Sequence, residues 1–533
     1  VTSSHSTAVR GIARAAVVVM AGMALSSVVG LLRQILIARF FGAGAAFDAF
    51  NTANRLPDFL FNLIAGGALA SAFIPTYTGF LTSDDLRGAG RLASAIASWI
   101  FVLLISASCL AGIFAYPLVH YILAPGYTDP DQIQTTVTLL RILILCPTFF
   151  GLSGLAMGIL NAHQRFFFSA MAPVCYQLGM IAGLVLLAPR WGIYGLAWGA
   201  VAGAMLHLTV QLPTLFSLRI PWRPMLDATN PAVRTVVRLM APRLLGQSAV
   251  QLNFLVNTIL ASSQPAGSLS AIAWAFSLMM MPEIAVAQAS AIAALPTFSA
   301  QASQGRTDVM RSSLASVLRG VFFLALPASV GLMILATPIV RIVFERGSFD
   351  ARSTQMVAWA LVFYAAGLTA HSMVEVLARA YFALQDTLTP ASVSVGGMIL
   401  NVALSLVLVG AFSAAGWMPH GALALANTLA TAAEMTVLIF ILRRKFQRLL
   451  DRDGWLSLAR TVISSAAMSA VLLLWIQALP SVSKWIVSLG GISVGLAVYV
   501  GISLAIGSQE ARSMLRVIIT RLRPARKPNV TLK

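Results

Sequence analysis

Charge is scarce in this chain. Only 10% of its 533 residues are Asp, Glu, Lys or Arg, and the acidic residues number 17. A soluble protein carries about a quarter charged residues, so a water-soluble fold is excluded. Cysteine is rarer still. Cys109, Cys146 and Cys175 lie in apolar surroundings at unrelated spacings, which excludes a disulfide framework and reads them as small packing residues. No His/Cys/carboxylate group has metal-ligand spacing, and no phosphate loop or nucleophile motif is present. A metal site, a cofactor and ATP-driven or hydrolytic chemistry are therefore not expected, and the chain reads as a transporter rather than an enzyme.

What fills the sequence instead is hydrocarbon. Hydrophobic residues make up 58% of it, and the mean hydropathy is +0.85. Apolar runs of about 20 residues recur between Gly, Pro or charged residues, the length needed to cross a bilayer as a helix. An all-α polytopic membrane protein is expected, with fourteen spans near 13–41, 56–81, 92–116, 136–160, 167–188, 191–215, 236–262, 270–299, 314–340, 355–383, 389–412, 419–442, 457–479 and 485–507. The first run begins near Ala13 and is too long for a removed signal peptide.

The net charge of +19 is explained by where the cations fall. With the N-terminus in the cytoplasm, 27 of the 36 Lys and Arg lie on the cytoplasmic side. Both termini are then cytoplasmic, as an even number of spans requires. The loop RIVFERGSFDARS departs from the rule, with three arginines outside. The tail RLRPARKP (521–528) reads as an orientation signal touching anionic membrane lipid. Nucleic acid is not an expected partner, because the basic runs lack interleaved aromatics and a binding module.

A duplication is written into the sequence at a single offset. Pro75 and Pro296 are 221 residues apart, and so are Pro117 and Pro338, Gly126 and Gly347, Ala162 and Ala383, and Gln164 and Gln385. YGLA (194–197) resembles HGAL (420–423) after a short insertion. Spans 1–6 and 7–12 thus read as two copies of one six-helix unit, both pointing the same way and enclosing a central cavity. The expected divisions are an N-terminal lobe (1–225), a C-terminal lobe (226–445), two additional helices (446–510) and a basic cytoplasmic tail (511–533). This is the architecture of an alternating-access carrier.

The candidate binding residues are the polar side chains inside spans. On a helical wheel Gly22, Ser26, Gly30, Arg33 and Gln34 share an arc of about 120° in the first span. Small residues and a cation on one face suit a wet cavity, whereas the alternative has Arg33 snorkelling towards the outer headgroups. In the seventh span Arg243, Gln247, Gln251, Asn253 and Asn257 fit an arc of about 160°. They line the cavity or bond between helices. Arg141 either lines the cavity or pairs with another helix, and Asp48 and Arg55 flank the second span and hold its outer end. Glu375 and Arg379, one turn apart, read as an internal ion pair.

Several blocks carry a family resemblance: FGAGAAFDAFNTANRLPDFLFNLIAGGALASAFIP, LAPGY, LLRILILCPTFFGLSGLAMGILNAHQRFFFSAMAPV, FERGSFD and ARAYFALQDTLTP. Over roughly residues 15–440 the chain resembles the MviN/MurJ family of bacterial lipid II flippases. The resemblance implies the multidrug/oligosaccharidyl-lipid/polysaccharide exporter fold, an inner-membrane location and an undecaprenyl-pyrophosphate-linked peptidoglycan precursor as cargo. The cell-wall synthesis machinery as a partner, and a coupling ion or the membrane potential as the driving force, are further expectations, and the sequence does not identify the ion. Arg33 matches the family's first-span arginine and Asp48 the acidic residue of its DAF motif. Three other cavity cations of the family are replaced here, at Ser27, at Phe61 and Asn62, and at Ser277. A flippase for another polyprenyl-linked glycan and a cation-coupled small-molecule exporter of the same fold are the alternatives.

Overall fold

The computed structural model describes residues 2–64, 68–446, 448, 451–479 and 482–522; of 2–17, 64, 68, 70, 71, 241–243, 245–250 and 517–522 it describes the backbone alone. The described chain is helical throughout, with no strand among the described residues. We number its main helices α1 (Thr2–Phe41), α2 (Ala45–Ile64), α3 (Ala68–Thr82), α4 (Leu86–Ile113), α5 (Pro130–Ala162), α6 (Phe166–Trp191), α7 (Ile193–Ser217), α8 (Pro231–Ser262), α9 (Ser268–Ser303), α10 (Thr307–Ile334), α11 (Ala351–Ala383), α12 (Leu388–Ala414), α13 (His420–Phe446), α14 (Arg452–Ala478), α15 (Ile486–Ala505) and α16 (Gln509–Leu522). Twelve stretches among the described residues are long and apolar enough to cross a membrane. The other two expected spans correspond to α2 with α3, and to α8. The protein is a multi-pass helical membrane protein.

Backbone geometry repeats at the offset seen in the sequence. Asp84 (φ 57°) and Gly305 (φ 67°) are left-handed, and so are Gln164 (φ 57°) and Gln385 (φ 59°). Each ends a helix, and in each case the next residue donates its N–H to a carbonyl five residues back: Asp85 to Phe80, Arg306 to Gln301, Arg165 to Leu160 and Asp386 to Tyr381. Left-handed residues with such bonds satisfy the last carbonyls of a helix and turn the chain into the next one.

By internal contact the chain forms two compact units. The first comprises residues 1–270 and 344–353, so α8 packs on α2 and α3 within it. In this unit the arginine-bearing loop after α10 docks on the turn between α1 and α2. Ser348 N donates to Arg39 O at 2.8 Å, and Ala43 N donates to Ser353 Oγ at 3.1 Å. Gly42 (φ 55°) and Gly347 (φ 62°) face this junction, where a β-carbon would strike the backbone of Ser348 or Arg39. The motif FERGSFD therefore has a structural task.

The second unit comprises 271–343 and 354–533. Its core joins Ala287, Ala291 and Phe298 of α9 to Leu314 and Leu318 of α10, Val376 and Leu377 of α11 and Leu438 of α13. The added helices α14 and α15 pack on α10, where Tyr499 Oη donates to Phe323 O at 2.6 Å. Outward-facing Ile399, Leu406 and Val407 of α12 and Leu473 and Leu474 of α14 are exposed, as lipid-facing residues are.

Asp386, in the turn before α12, shows how such turns are held. It accepts from Thr389 N at 3.0 Å, Thr389 Oγ1 at 2.8 Å and Lys445 Nζ at 2.7 Å. The hydrogen bond from Lys445, with those from Thr389, holds its carboxyl down from an ordinary 3.8 to about 2. A carboxyl with a depressed folded pKa contributes stability above its ordinary value and loses it as pH falls through the folded value. Asp386→Asn should lower the melting temperature of the purified protein above about pH 4, with a difference that shrinks as pH falls towards about 2. A difference independent of pH would assign the effect to something other than this charge.

Candidate functional site

The polar residues of the first unit lie on two packed helix pairs, α1 with α6 and α2 with α8. Gly22 and Gly30 of α1 lie against Ala170 and Gln177 of α6, close enough that an added β-carbon would come within 3.2 Å of either. The small face expected to line water thus serves helix packing, and it brings Arg33 down onto α6. There Arg33 Nη1 lies 3.2 Å from Met180 Sδ, a weak acceptor. Its Nε is buried with no hydrogen-bond partner among the described residues. Gln34 Oε1, Asn51 Nδ2 and Gln177 Oε1 are in the same condition.

The counter-charge is Asp58 of α2, a residue the helical-wheel reading did not single out. Asp58 interacts electrostatically with both Arg55 and Arg33. Asn54 Nδ2 donates to Asp58 Oδ2 at 2.9 Å, and Asn62 Nδ2 donates to the Asp58 carbonyl at 2.9 Å. Arg55 in turn donates from Nε to Thr258 Oγ1 of α8 at 2.8 Å and stacks over Phe254 at 5.7 Å. Two guanidinium groups and one carboxylate leave the cluster with one net positive charge. An anion with several oxygens is the ligand such a set recognises, because guanidinium forks match phosphate oxygens in pairs.

The other sequence-selected residues are placed as follows. Gln251, Asn253 and Asn257 lie on the same stretch of α8 as Thr258, and Asn257 Oδ1 is buried with no hydrogen-bond partner among the described residues. The side chains of Arg243 and Gln247 lie outside the described residues, and Ser26 is half-buried on α1. Asp48 is only 3% exposed. Its carboxylate accepts from Gly267 N at 2.6 Å, Ser270 N at 2.7 Å and Ser270 Oγ at 2.5 Å. It caps the N-terminus of α9, where a carboxylate is favoured by free N–H groups and the helix dipole. Its oxygens are fully engaged, which makes it a positioning residue. Arg141 is exposed and donates to Gly112 O at 3.2 Å at the end of α4; the structure does not bring it into the cluster.

The replaced family cations have local explanations. Ser27 is exposed and bonds back to Met23 O of its own helix at 2.9 Å. Phe61 packs on Phe150 at 4.9 Å, and Phe150 packs on Tyr176 at 5.0 Å. Ser277 bonds back to Ala273 O at 2.9 Å. Arg33 and Arg55 are therefore the described guanidinium groups of this cluster.

With that geometry in place, comparison with known proteins becomes informative. The family model described as lipid II flippase MurJ matches residues 37–489. The chain belongs to the lipid II flippase MurJ family. It is 32% identical to the lipid II flippase MurJ of Burkholderia cenocepacia over 462 residues, covering 85% of this chain and 87% of that one. It is 29% identical to a probable lipid II flippase MurJ of Vibrio cholerae, covering 93% and 96% of the two chains. Among solved structures it resembles a lipid II flippase MurJ in an inward closed conformation, with a TM-score of 0.77 at 22% identity over 94% of this chain and all of the other. An inward-facing multidrug transporter of the MATE family matches with a TM-score of 0.66 at 12% identity, over 80% of this chain and 95% of that one. These two likenesses establish the shared exporter fold. In this MurJ-family chain, one face of α2 carries Arg55 and Asp58 three residues apart, a spacing from which their proximity follows.

The coupling of Arg33 to Asp58 is measurable. Arg33→Ala and Asp58→Ala should each destabilise the purified protein. The double variant should lose less than the sum, by on the order of 1 kcal/mol, as residues in one charge network do. Strict additivity in thermal unfolding would show that the two charges do not interact.

Proposed function

We propose that this protein moves the undecaprenyl-pyrophosphate-linked peptidoglycan precursor from the inner to the outer leaflet of the bacterial cytoplasmic membrane. The observation that carries the reading is the buried Arg33, whose Nε has no hydrogen-bond partner among the described residues and whose charge, like that of Arg55, interacts with the Asp58 carboxylate. Membership of the MurJ family gives the cargo class, and the residues give the means. A pyrophosphate cannot enter about 30 Å of hydrocarbon unaided, because an unpaired buried anion costs many kcal/mol. Fixed guanidinium groups replace lost water with charge-assisted hydrogen bonds. Asp58 keeps the two arginines folded in place while the ligand is absent. When an anion approaches, the net positive charge of the cluster attracts it and the forked donors can exchange Asp58 for phosphate oxygens.

Directional movement requires the cluster to open to one leaflet and then to the other, the alternating-access cycle of a carrier. The lipid-linked precursor and the surrounding membrane lipids are the partners in this reading, and both termini lie in the cytoplasm. The cations replaced at Ser27, Phe61 and Ser277 favour a second cargo within the same class, another polyprenyl-linked glycan, as the alternative. An exporter of cationic drugs is disfavoured, since Arg33 and Arg55 repel such molecules.

The test is rescue. Expression of this chain in cells depleted of their own lipid II flippase should restore wall synthesis and cell shape. Arg33→Ala should abolish the rescue at unchanged protein level. Failure of the wild-type chain to rescue would transfer the reading to a different polyprenyl-linked cargo.

A further inference from the structure

The duplication places two equivalent loops against two equivalent turns, and it does so crosswise. In the first copy the loop after α4 contains Gly126, and in the second copy the loop after α10 contains Gly347, 221 residues later. Each loop docks where the first helix of the other copy ends. Gly126 N donates to Ser262 Oγ at 3.1 Å, in the last turn of α8. Ser348 N donates to Arg39 O at 2.8 Å, in the last turn of α1. The docking points are equivalent as well, since Gly42, which follows α1, and Ser263, which follows α8, are also 221 positions apart.

Glycine is required at both contacts. A β-carbon on Gly126 would stand 2.4 Å from Ser263 N and 2.5 Å from its Cα, and one on Gly347 would stand 2.5 Å from Arg39 O. Backbone therefore meets backbone with no side chain between them. The loops are also fixed away from the contact. Tyr127 Oη and Thr52 Oγ1 share a hydrogen bond of 2.9 Å, which holds the first loop to α2 of its own copy. In the second loop Phe344 and Phe349 are buried and pack at 5.7 Å. Three residues after each glycine an aspartate caps the next helix: Asp129 accepts from Asp131 N at 3.0 Å, and Asp350 from Ser353 N at 2.8 Å. Ser353 Oγ accepts from Ala43 N at 3.1 Å, which adds a second bond to the contact at α1.

We propose that these loops are a reciprocal pair of clasps, each copy gripping the first turn of the other, which fasten the outer side of the carrier and release together when it opens outwards. This rests on the carrier reading and the cytoplasmic termini above, which put both loops and both turns on the outer side. Both clasps lie within the first compact unit. Residues 344–353 nevertheless continue in both directions into the second unit, which ends before them at Val343 and resumes at Thr354. Movement of α10 and α11 therefore pulls on the Arg39 contact through the chain. A few hydrogen bonds, each of small net strength once water can replace it, suit a joint that opens in every cycle. One conformational change breaks both clasps, so weakening either shifts the population of the open state at the other. Two purely local contacts would show no such linkage.

Thiol labelling tests the linkage. Ser262 and Ser353 are both buried at their clasps. Ser262→Cys and Ser353→Cys are introduced singly into the full chain with Cys109, Cys146 and Cys175 replaced by Ala, and spheroplasts are exposed to a membrane-impermeant maleimide. Each introduced thiol should react slowly. Gly347→Ala should speed labelling of the Ser262→Cys protein by about tenfold or more, and Gly126→Ala should do the same for Ser353→Cys, because each shifts one shared equilibrium. Ser353→Ala, which removes the acceptor of Ala43 N, takes the place of Gly347→Ala if that variant does not reach the membrane. Acceleration confined to the clasp that carries the substitution would overturn the proposal. Lipid II movement by the unsubstituted chain in liposomes is read separately. Linked labelling without lipid II movement would retain the clasps and remove the flippase reading. Lipid II movement with unlinked labelling would remove the clasps and retain the flippase.

Discussion

A guanidinium within an apolar helix must be neutralised, hydrated or bound, and Arg33 places that constraint on the first unit. It reaches α6 because Gly22 and Gly30 let the two helices approach. It is balanced by Asp58, which also balances Arg55, and Arg55 ties α2 to α8 through Thr258. One carboxylate shared by two cations is an arrangement that an arriving anion can rearrange without leaving any charge isolated in the low-dielectric interior. A fully paired set would have less use for a ligand, and an unpaired arginine would destabilise the fold.

Around this cluster the recognisable motifs hold the scaffold. Asp48 caps α9, FERGSFD closes the α1–α2 turn, and Asp386 of LQDTLTP caps α12 while binding Lys445. Each uses a side chain or glycine to satisfy helix ends, which in a membrane protein have little water available as a substitute. Motifs that identify the family therefore sit largely at turns. The residues available for chemistry are the polar ones between them, within the helices.

The spans were legible from run length alone, and the duplication from the fixed offset, which the left-handed turns at Asp84/Gly305 and Gln164/Gln385 repeat in the backbone. Arg33 stood out because a charge in such a run has no bland explanation. The surroundings of Arg33 were less legible. A helical wheel treats each span alone, so Gly22 and Gly30 suggested a wet face when they mark a helix contact. Asp58 escaped notice because it follows Pro57 near the expected start of a span, where a carboxylate reads as a headgroup anchor. Only packing across helices reveals that it serves both arginines.

The central claim is that Arg33 is kept in the membrane to hold the anionic headgroup of a lipid. Equilibrium binding of lipid II to the purified full chain measures this most directly, comparing wild type with Arg33→Ala and Arg33→Lys. Loss of one charge-assisted contact predicts at least about tenfold weaker binding for Arg33→Ala, with Arg33→Lys intermediate. Equal affinity in a folded Arg33→Ala protein would contradict the account.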